Sequence, residues 1–472
     1  MRLSMVRTSV TLEASKKSGV GVLKNVSTTR SVKIMMVLLV LSITQASYSD
    51  DLSQSIQADY ENRLDAMFKD FHAHPELSLA EFATAKKLSV ALRGHGFSVT
   101  ESVGGTGIVA ILENGVGPLV MMRADMDGLP IKEKSGLDYT SQDTQLDPVT
   151  GKIFPTMHAC GHDVHITSLI GTANQMANRK DKWSGTLMLI GQPAEERVLG
   201  ARAMMEDNLW ERFGKPDYAM AFHVSSGLPS GIINVVKGSP FAGADTVDIY
   251  VHGIGAHGAS PHAGKDPIVL GSQIVMALQT LVSRELSPRQ PGVVTVGAFH
   301  SGSKHNIISD MAHLQLTVRN TNAKTRDILL KGIKRIAENL GRASGLPEDK
   351  LPEVVYSEES TPPTINDDAM VSRLRQVWIA GLGQDRIANF KPEGMGAEDF
   401  PYFTTDPEIT SVYFSVGGTD ANYIAAAMAG TGPAVPSHHS PIFKIEPRPS
   451  VTAGIEATVL ALMDLMAPSQ SL

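Results

Sequence analysis

Cysteine is almost absent from this 472-residue chain, which has one, Cys160. A single thiol cannot close an intramolecular disulfide, so no such bridge staples the fold. Cys160 is then an inert buried thiol, a nucleophile or a metal-bound thiolate. The chain also lacks any stretch of ~18 or more uninterrupted apolar residues, which excludes an ordinary membrane-spanning helix. Its body has no Lys/Arg cluster and the formal net charge is −7, which argues against a nucleic-acid partner. Internal repeats and low-complexity tracts are missing as well. What is present is a globular composition, 42% hydrophobic and 19% charged. The length suits two or three domains of ~150 residues each.

The N-terminus differs in kind. Residues 1–33 carry Arg2, Arg7, Lys16, Lys17, Lys24, Arg30 and Lys33 against one acid, Glu13. An apolar run from Ile34 to Ile43 follows, then Thr44-Gln-Ala-Ser47. A basic lead, a short apolar stretch and small residues at its end describe a secretory signal peptide over 1–47, cleaved near 46–47, and hence an exported protein.

Four short segments, Gly107–Leu112, Pro118–Met122, Thr186–Ile190 and Tyr218–Phe222, are apolar on both faces. Such strands, separated by helical stretches such as Val164–Asn178, predict an α/β fold with a largely parallel sheet and helices on both faces. Three of these strands run directly into polar groups: Asp125 and Asp127 after the second, Glu195-Glu196 after the third, His223 after the fourth. Sites in open α/β sheets form outside the carboxyl ends of strands. Residues 243–357 read as an inserted module. Val247, Ile249 and Val251 alternate with Asp248, Tyr250 and His252. The order strand, helix (267–286), two strands, helix (325–341), strand predicts a ferredoxin-like α+β domain. The first domain is therefore discontinuous, 55–242 and 358–468.

The thiol stands in Met157-His-Ala-Cys-Gly-His-Asp163, with Glu195, Glu196, His223 and His439 downstream. Taken singly, each has an ordinary explanation: a core histidine, a solvated Glu pair, a buried thiol, a loop. Taken together at strand ends, Cys160, His162, His223, His439 and a carboxylate form a donor set for two metal ions sharing one bridging ligand, the usual arrangement for activating water against an amide. Nitrogen and sulfur donors suit zinc, whereas carboxylate and imidazole also suit manganese or cobalt. Adjacent glutamates in an extended segment point opposite ways, so one can bind metal while the other handles a proton. Asp125 and Asp163 are candidates for orienting ligand histidines from behind.

The chain from about Tyr60 to Met466 resembles the aminoacylase/carboxypeptidase-type dinuclear metallopeptidases. Within them it is most similar to the amidohydrolase branch of hippurate hydrolases and plant indole-acetyl-amino-acid hydrolases. The resemblance rests on Phe71-His-Ala-His-Pro-Glu-Leu77, Arg123-Ala-Asp-Met-Asp-Gly-Leu-Pro-Ile131, the cysteine motif and Gln192-Pro-Ala-Glu-Glu196. Gly255-Ala-His-Gly-Ala-Ser-Pro-His262, Asn306-Ile-Ile, Gly396-Ala-Glu-Asp-Phe400 and His439-Ser-Pro extend it. It implies that Cys160 bridges two divalent ions (manganese or zinc, with cobalt or nickel as further candidates) and that His162, Glu196, His223 and His439 complete their shells. Glu195 is then the general base. The resemblance also implies that the inserted module is a lid through which the protein dimerises. By the same resemblance, His257 would reach the partner subunit's site and polarise the scissile carbonyl, while Asn306 and Arg319 would contact a substrate carboxylate. Two departures stand out: Arg197-Val-Leu-Gly200, where relatives are richer in glycine, and Gly128 in place of alanine.

The resulting expectation is hydrolysis of N-acyl amino acids (acetyl, benzoyl or related conjugates) by a metal-activated water, with Glu195 moving the proton. A dipeptidase, aminopeptidase or carboxypeptidase on the same dinuclear site is the alternative. A thiol hydrolase built on Cys160 and a non-enzymatic metal-binding protein are more distant readings.

Overall fold

The computed structural model describes residues 50–468, and the expected signal peptide at 1–47 lies outside them. No helix among the described residues is long and apolar enough to cross a membrane. The larger of two main sheets has eight strands. In spatial order they are β1 (Ser98–Val103), β2 (Gly107–Asn114), β4 (Gly185–Gln192), β3 (Leu119–Asp125), β5 (Tyr218–Pro229) and β10 (Thr410–Thr419). The two-residue strands Ile233–Asn234 and Ile387–Ala388 complete the edge. The central four, β4, β3, β5 and β10, run parallel. Two differences from the sequence reading concern the ends. β2 pairs antiparallel with both neighbours, because the Gly104-Gly105 turn folds it back on β1. β1 and β10 were not among the four expected strands.

The apolar character of both strand faces has the expected consequence. Val120 and Met122 of β3, with Leu187 and Leu189 of β4, enter one core, while Met121, Met188 and Ile190 enter another on the opposite face. The first core is roofed by α2 (Phe82–Gly94), α3 (His162–Ala177), α6 (Asp368–Leu382) and α8 (Pro447–Leu465), while α7 (Ala421–Met428) buries none of its residues. Nearly all of α3 is buried, as expected of a helix without a polar stripe. It packs closely against α8 because Gly171 has no side chain; a Cβ there would lie 2.3 Å from Ile455 Cδ1.

The second sheet has four strands, all antiparallel, in the order β7 (Gly292–Ser301), β8 (Met311–Asn320), β6 (Gly243–His252) and β9 (Glu353–Thr361). Val247, Ile249 and Val251 are buried as their alternation predicts. They pack with Leu270, Ile274 and Leu278 of α4 (Pro267–Thr280) and Leu329, Ile333 and Ala337 of α5 (Ala323–Ala343). Both helices therefore cover one face. Asp266 and Asn322 cap their N-termini by accepting from backbone amides, which fixes where each begins. The helix expected over 267–286 is α-helical only to Thr280 and widens into a π turn over Leu281–Glu285.

A buried ionic link sets the angle between α1 (Asp65–Ala73) and the cysteine motif. His72 on α1 bonds Asp163 at 2.7 Å through Nδ1 and Glu133 at 3.1 Å through Nε2. Burial opposes its charge, but the two carboxylates outweigh burial and raise its pKa to about 9. A raised folded-state pKa gives stability that is complete below the unfolded value of ~6.5 and lost as pH rises through the folded value. Urea unfolding midpoints of the apo protein should therefore fall between pH 6.5 and 9. In His72→Gln the protein should be less stable at pH 6 and show a shallower decline; equal slopes for the two proteins refute the link.

Candidate metal centre

The parallel strands deliver their polar groups to one end of the sheet. β3 ends at Asp125 and the chain continues extended to Asp127, so both side chains share a face. β4 ends at Gln192, and a short turn then carries Glu195, Glu196 and Arg197 between two left-handed residues, Ala194 (φ 48°) and Val198 (φ 58°). A β-branched residue at positive φ is uncommon, and Val198 falls in the stretch where the sequence departs from its glycine-rich relatives. Arg197 in that stretch is paired with Asp147 at 3.0 Å. The cysteine motif turns into α3 through Gly161 (φ 86°), where a Cβ would meet Val224 Cγ1 at 2.4 Å. His439 arrives from the loop before α8, anchored by its backbone N–H donating to the Ala159 carbonyl at 2.9 Å.

Five expected ligands converge. Ligand atoms of Cys160, His162 and His223 lie within 4.8 Å of one another, as do those of Cys160, Glu196 and His439. The thiol is thus common to two donor groups. His223 Nε2 is 3.4 Å from Cys160 Sγ, and His439 Nε2 is 3.3 Å from Glu196 Oε2. Glu195 joins them, with Oε2 3.8 Å from His162 Nε2. Backbone carbonyls orient two rings, since a carbonyl only accepts. His162 Nδ1 donates to Asp127 O at 2.8 Å and His223 Nδ1 to Val224 O at 2.6 Å, so each Nε2 faces the cluster, where a metal ion would take the place of any proton on it. His162 Nε2 and Glu196 Oε1 are buried without a hydrogen-bond partner. Buried polar atoms are ordinarily satisfied, and divalent cations at these two points would satisfy both.

Electrostatics point the same way. Burial raises the Cys160 thiol, and Glu196, Glu195 and Asp125 raise it further. Burial and the neighbouring carboxylates Glu398, Glu196, Asp399 and Asp125 hold Glu195 well above the carboxylate range. Glu196 is pushed to about 8, chiefly by burial, despite His162. Burial disfavours a proton on His162, but Asp125, Asp127 and Glu196 raise it to about 10, making it a stand-in cation. The residues present therefore fit a pair of divalent ions.

Neither Asp125 nor Asp163 hydrogen-bonds one of the expected ligand histidines directly. Asp163, on the first turn of α3, is directed to α1, bonding His72 and accepting from Val164 N. Asp125 bonds Arg123 and His165, and it approaches His162 only at Nε2, 3.8 Å away. The orienting contact to His162 comes instead from the Asp127 carbonyl. The Asp127 carboxylate also accepts from Glu195 N, Glu196 N and Ser78 Oγ, which fixes the Glu turn. Asp127 was legible as a strand-end acid two residues beyond Asp125. His438 is a further unanticipated neighbour: its Nδ1 is 3.8 Å from Cys160 Sγ, while its Nε2 accepts from Ser226 N. His257 is exposed on a two-residue strand, Ala256–His257, and Ala259 N donates to its Nδ1. Asn306 pairs by backbone with Gly258 and has a buried, unpartnered Oδ1; Arg319 is half-buried on β8. Among the described residues no hydrogen bond or ion pair joins these three to the cluster.

Behind the cluster lies a second set of charges that sequence reasoning missed. The Arg123 guanidinium is fully buried and contacts Asp125 (2.5 Å), Glu398 (2.6 Å), Asp399 (3.3 Å), Gln192 (2.7 Å) and the Tyr413 hydroxyl (3.2 Å). It binds together the ends of β3 and β4, the middle of β10 and the loop at 398–399.

The model of peptidase family M20/M25/M40 matches residues 121–463. Hippurate hydrolase of Campylobacter jejuni is 35% identical over 350 residues, 73% of this chain and 86% of that protein. Thermostable carboxypeptidase 2 of Saccharolobus solfataricus is also 35% identical over 350 residues, 73% of this chain and 83% of its own. Among solved structures, a dinuclear metal binding peptidase of the M20 family from Bacillus subtilis superposes with a TM-score of 0.69 at 26% identity, covering 87% of this chain and 99% of that one.

Arg123→Met removes the guanidinium shared by three buried carboxylates, so denaturant titration should show a loss of about 3–5 kcal/mol. A loss below about 1 kcal/mol would mean the cluster does not depend on that charge.

Proposed function

The chain belongs to peptidase family M20/M25/M40 and is a hydrolase acting on amide bonds; on that premise we propose that its substrates are small N-acyl amino acids. The observation that carries the reading is one thiol shared by two donor groups with a buried glutamate, Glu195, alongside. Cys160, His162, Glu196, His223 and His439 would hold two zinc or manganese ions, the thiolate and imidazoles favouring zinc. Bound there, the ions would supply the Lewis acidity that acidifies water and polarises a carbonyl. Glu195 takes a proton from the attacking water and passes it to the leaving nitrogen as the C–N bond breaks, releasing a carboxylic acid and a free amine. Burial and the neighbouring carboxylates raise its affinity for a proton, as suits a group that takes one from water. Hippurate is itself an N-acyl amino acid, which supports this class. The carboxypeptidase relative at equal identity supports a peptide substrate as the second reading, with the same metal centre and a different pocket.

We further propose a homodimer joined through the four-stranded sheet, with His257 of each subunit serving the other's site and Asn306 and Arg319 receiving the substrate carboxylate. Support comes from β7, an edge strand that carries exposed Phe299 and packs against α4, on which Val269 and Met276 are exposed, the latter 71%. Apolar side chains beside an unpaired strand are a template for association.

Glu195→Gln should bind its metals with wild-type stoichiometry while kcat falls at least about a thousandfold, the scale of a lost general base with its associated charge. Chelator should abolish wild-type turnover and zinc or manganese restore it. Acetyl-, benzoyl- and dipeptide substrates assayed side by side decide between the two pockets; a Glu195→Gln protein that keeps its turnover rules out the assigned base.

A crossed-site dimer makes a separate prediction. Glu195→Gln and His257→Ala, each inactive alone, should recover up to about a quarter of the wild-type rate after subunit exchange, since half the dimers then contain one intact site. Absence of recovery in a mixture shown to exchange argues for His257 acting within its own chain or not at all.

A further inference from the structure

We propose that His165 is a positioning residue of the metal centre, acting on His223 through the backbone of Val224. The proposal rests on the metal-dependent reading above. His165 lies one helical turn beyond His162 on α3, fully buried, and its own ring carries no ligand role in that reading. Its Nε2 accepts the Val224 backbone N–H at 2.9 Å. Because an amide can only donate, Nε2 is unprotonated and the ring proton sits on Nδ1, which donates to Asp125 Oδ1 at 2.5 Å. Asp125 is in turn held by Arg123. On the far side, the Val224 carbonyl accepts from His223 Nδ1 at 2.6 Å, and His223 Nε2 faces Cys160 Sγ. A chain of contacts thus runs from Arg123 through Asp125 and His165 to the Val224 backbone, whose N–H and carbonyl connect it to the ligand imidazole.

The sheet explains why this link is needed. Pairing of β5 with β3 is registered only from Tyr218 to Ala221, so beyond that point β5 has no strand on the β3 side. Val224 lies in this unsupported stretch, and His165 takes the amide that a neighbouring strand would otherwise have bonded. The ring also packs edge-on against His223, with centroids 4.7 Å apart and planes at 74°. His165 holds the Val224 N–H and so restrains the residue whose carbonyl sets the His223 tautomer, which keeps the Nε2 lone pair on its target. Groups behind a ligand histidine commonly influence metal affinity about 10- to 100-fold.

The test compares His165→Gln, His165→Asn and His165→Phe in the full-length protein. Zinc affinity is read by competition with a chromogenic chelator, beside circular dichroism and thermal unfolding of the metal-free proteins. Glutamine places an acceptor where Nε2 was and keeps the Val224 contact, asparagine reaches only Asp125, and phenylalanine reaches neither. The expected result is near-native zinc affinity in His165→Gln and weakening of about 10- to 100-fold in the other two, with KM of the zinc-saturated enzymes unchanged. A pure packing role predicts the reverse order, with phenylalanine tolerated best, and that order overturns the proposal. So does equal zinc affinity in all four proteins, or failure of all three variants to fold without metal. Wild-type protein that binds no zinc or manganese would instead remove the functional reading on which the proposal stands.

Discussion

Negative charge gathered without enough positive charge is the constraint from which this structure is built. Asp125, Asp127, Glu195, Glu398 and Asp399 are all buried near the carboxyl ends of the parallel strands, with Glu196 and a thiol beside them. Such groups in a low-dielectric interior either ionise beside cations or stay protonated. Arg123 answers on the inner side, taking three carboxylates with one guanidinium. On the outer side the protein offers only His162, and burial leaves Cys160 and both glutamates pushed toward their protonated forms. Two divalent ions would complete the balance that Arg123 begins.

The division has a geometric basis. Parallel strands end together, so a short extension past each end projects side chains into one volume. β3 contributes Asp125 and Asp127, β4 the Glu turn, and β5 His223. What holds these extensions still is mostly backbone bonding. Asp127 fastens the amides of Glu195 and Glu196, His165 fastens Val224, and Ala159 fastens His439. The His165 contact replaces a ladder bond that the sheet no longer supplies. Left-handed Ala194, Val198 and His439 occur in the same region, as expected where the backbone is bent to serve a site.

Much of this was legible before any coordinates. Strands apolar on both faces announced a covered parallel sheet, and alternation in Val247–Val251 announced a sheet with one face buried. The lone cysteine, its flanking histidines and the acids after two strands marked the centre. Asp163 shows the limit. Its place beside His162 in sequence suggested support for a ligand, but a helix turns successive residues by about 100° and aims Asp163 at α1 instead. Arg123, Glu398 and His165 went unread for a related reason: their partners lie on elements far along the chain, and no local pattern records such a pairing.

The sequence by itself determined which groups are available: one thiol, a set of histidines and a Glu pair placed at strand ends, on a scaffold whose hydrophobic pattern admits few other folds. That follows because periodicity and composition are local properties, written residue by residue. Only the tertiary structure decided which of these groups face the centre and which support it from behind. Orientation depends on where β3 stops pairing with β5, on the direction α3 takes from Gly161, and on which carbonyl each imidazole meets. Those are long-range contacts, and they exist only once the chain is packed.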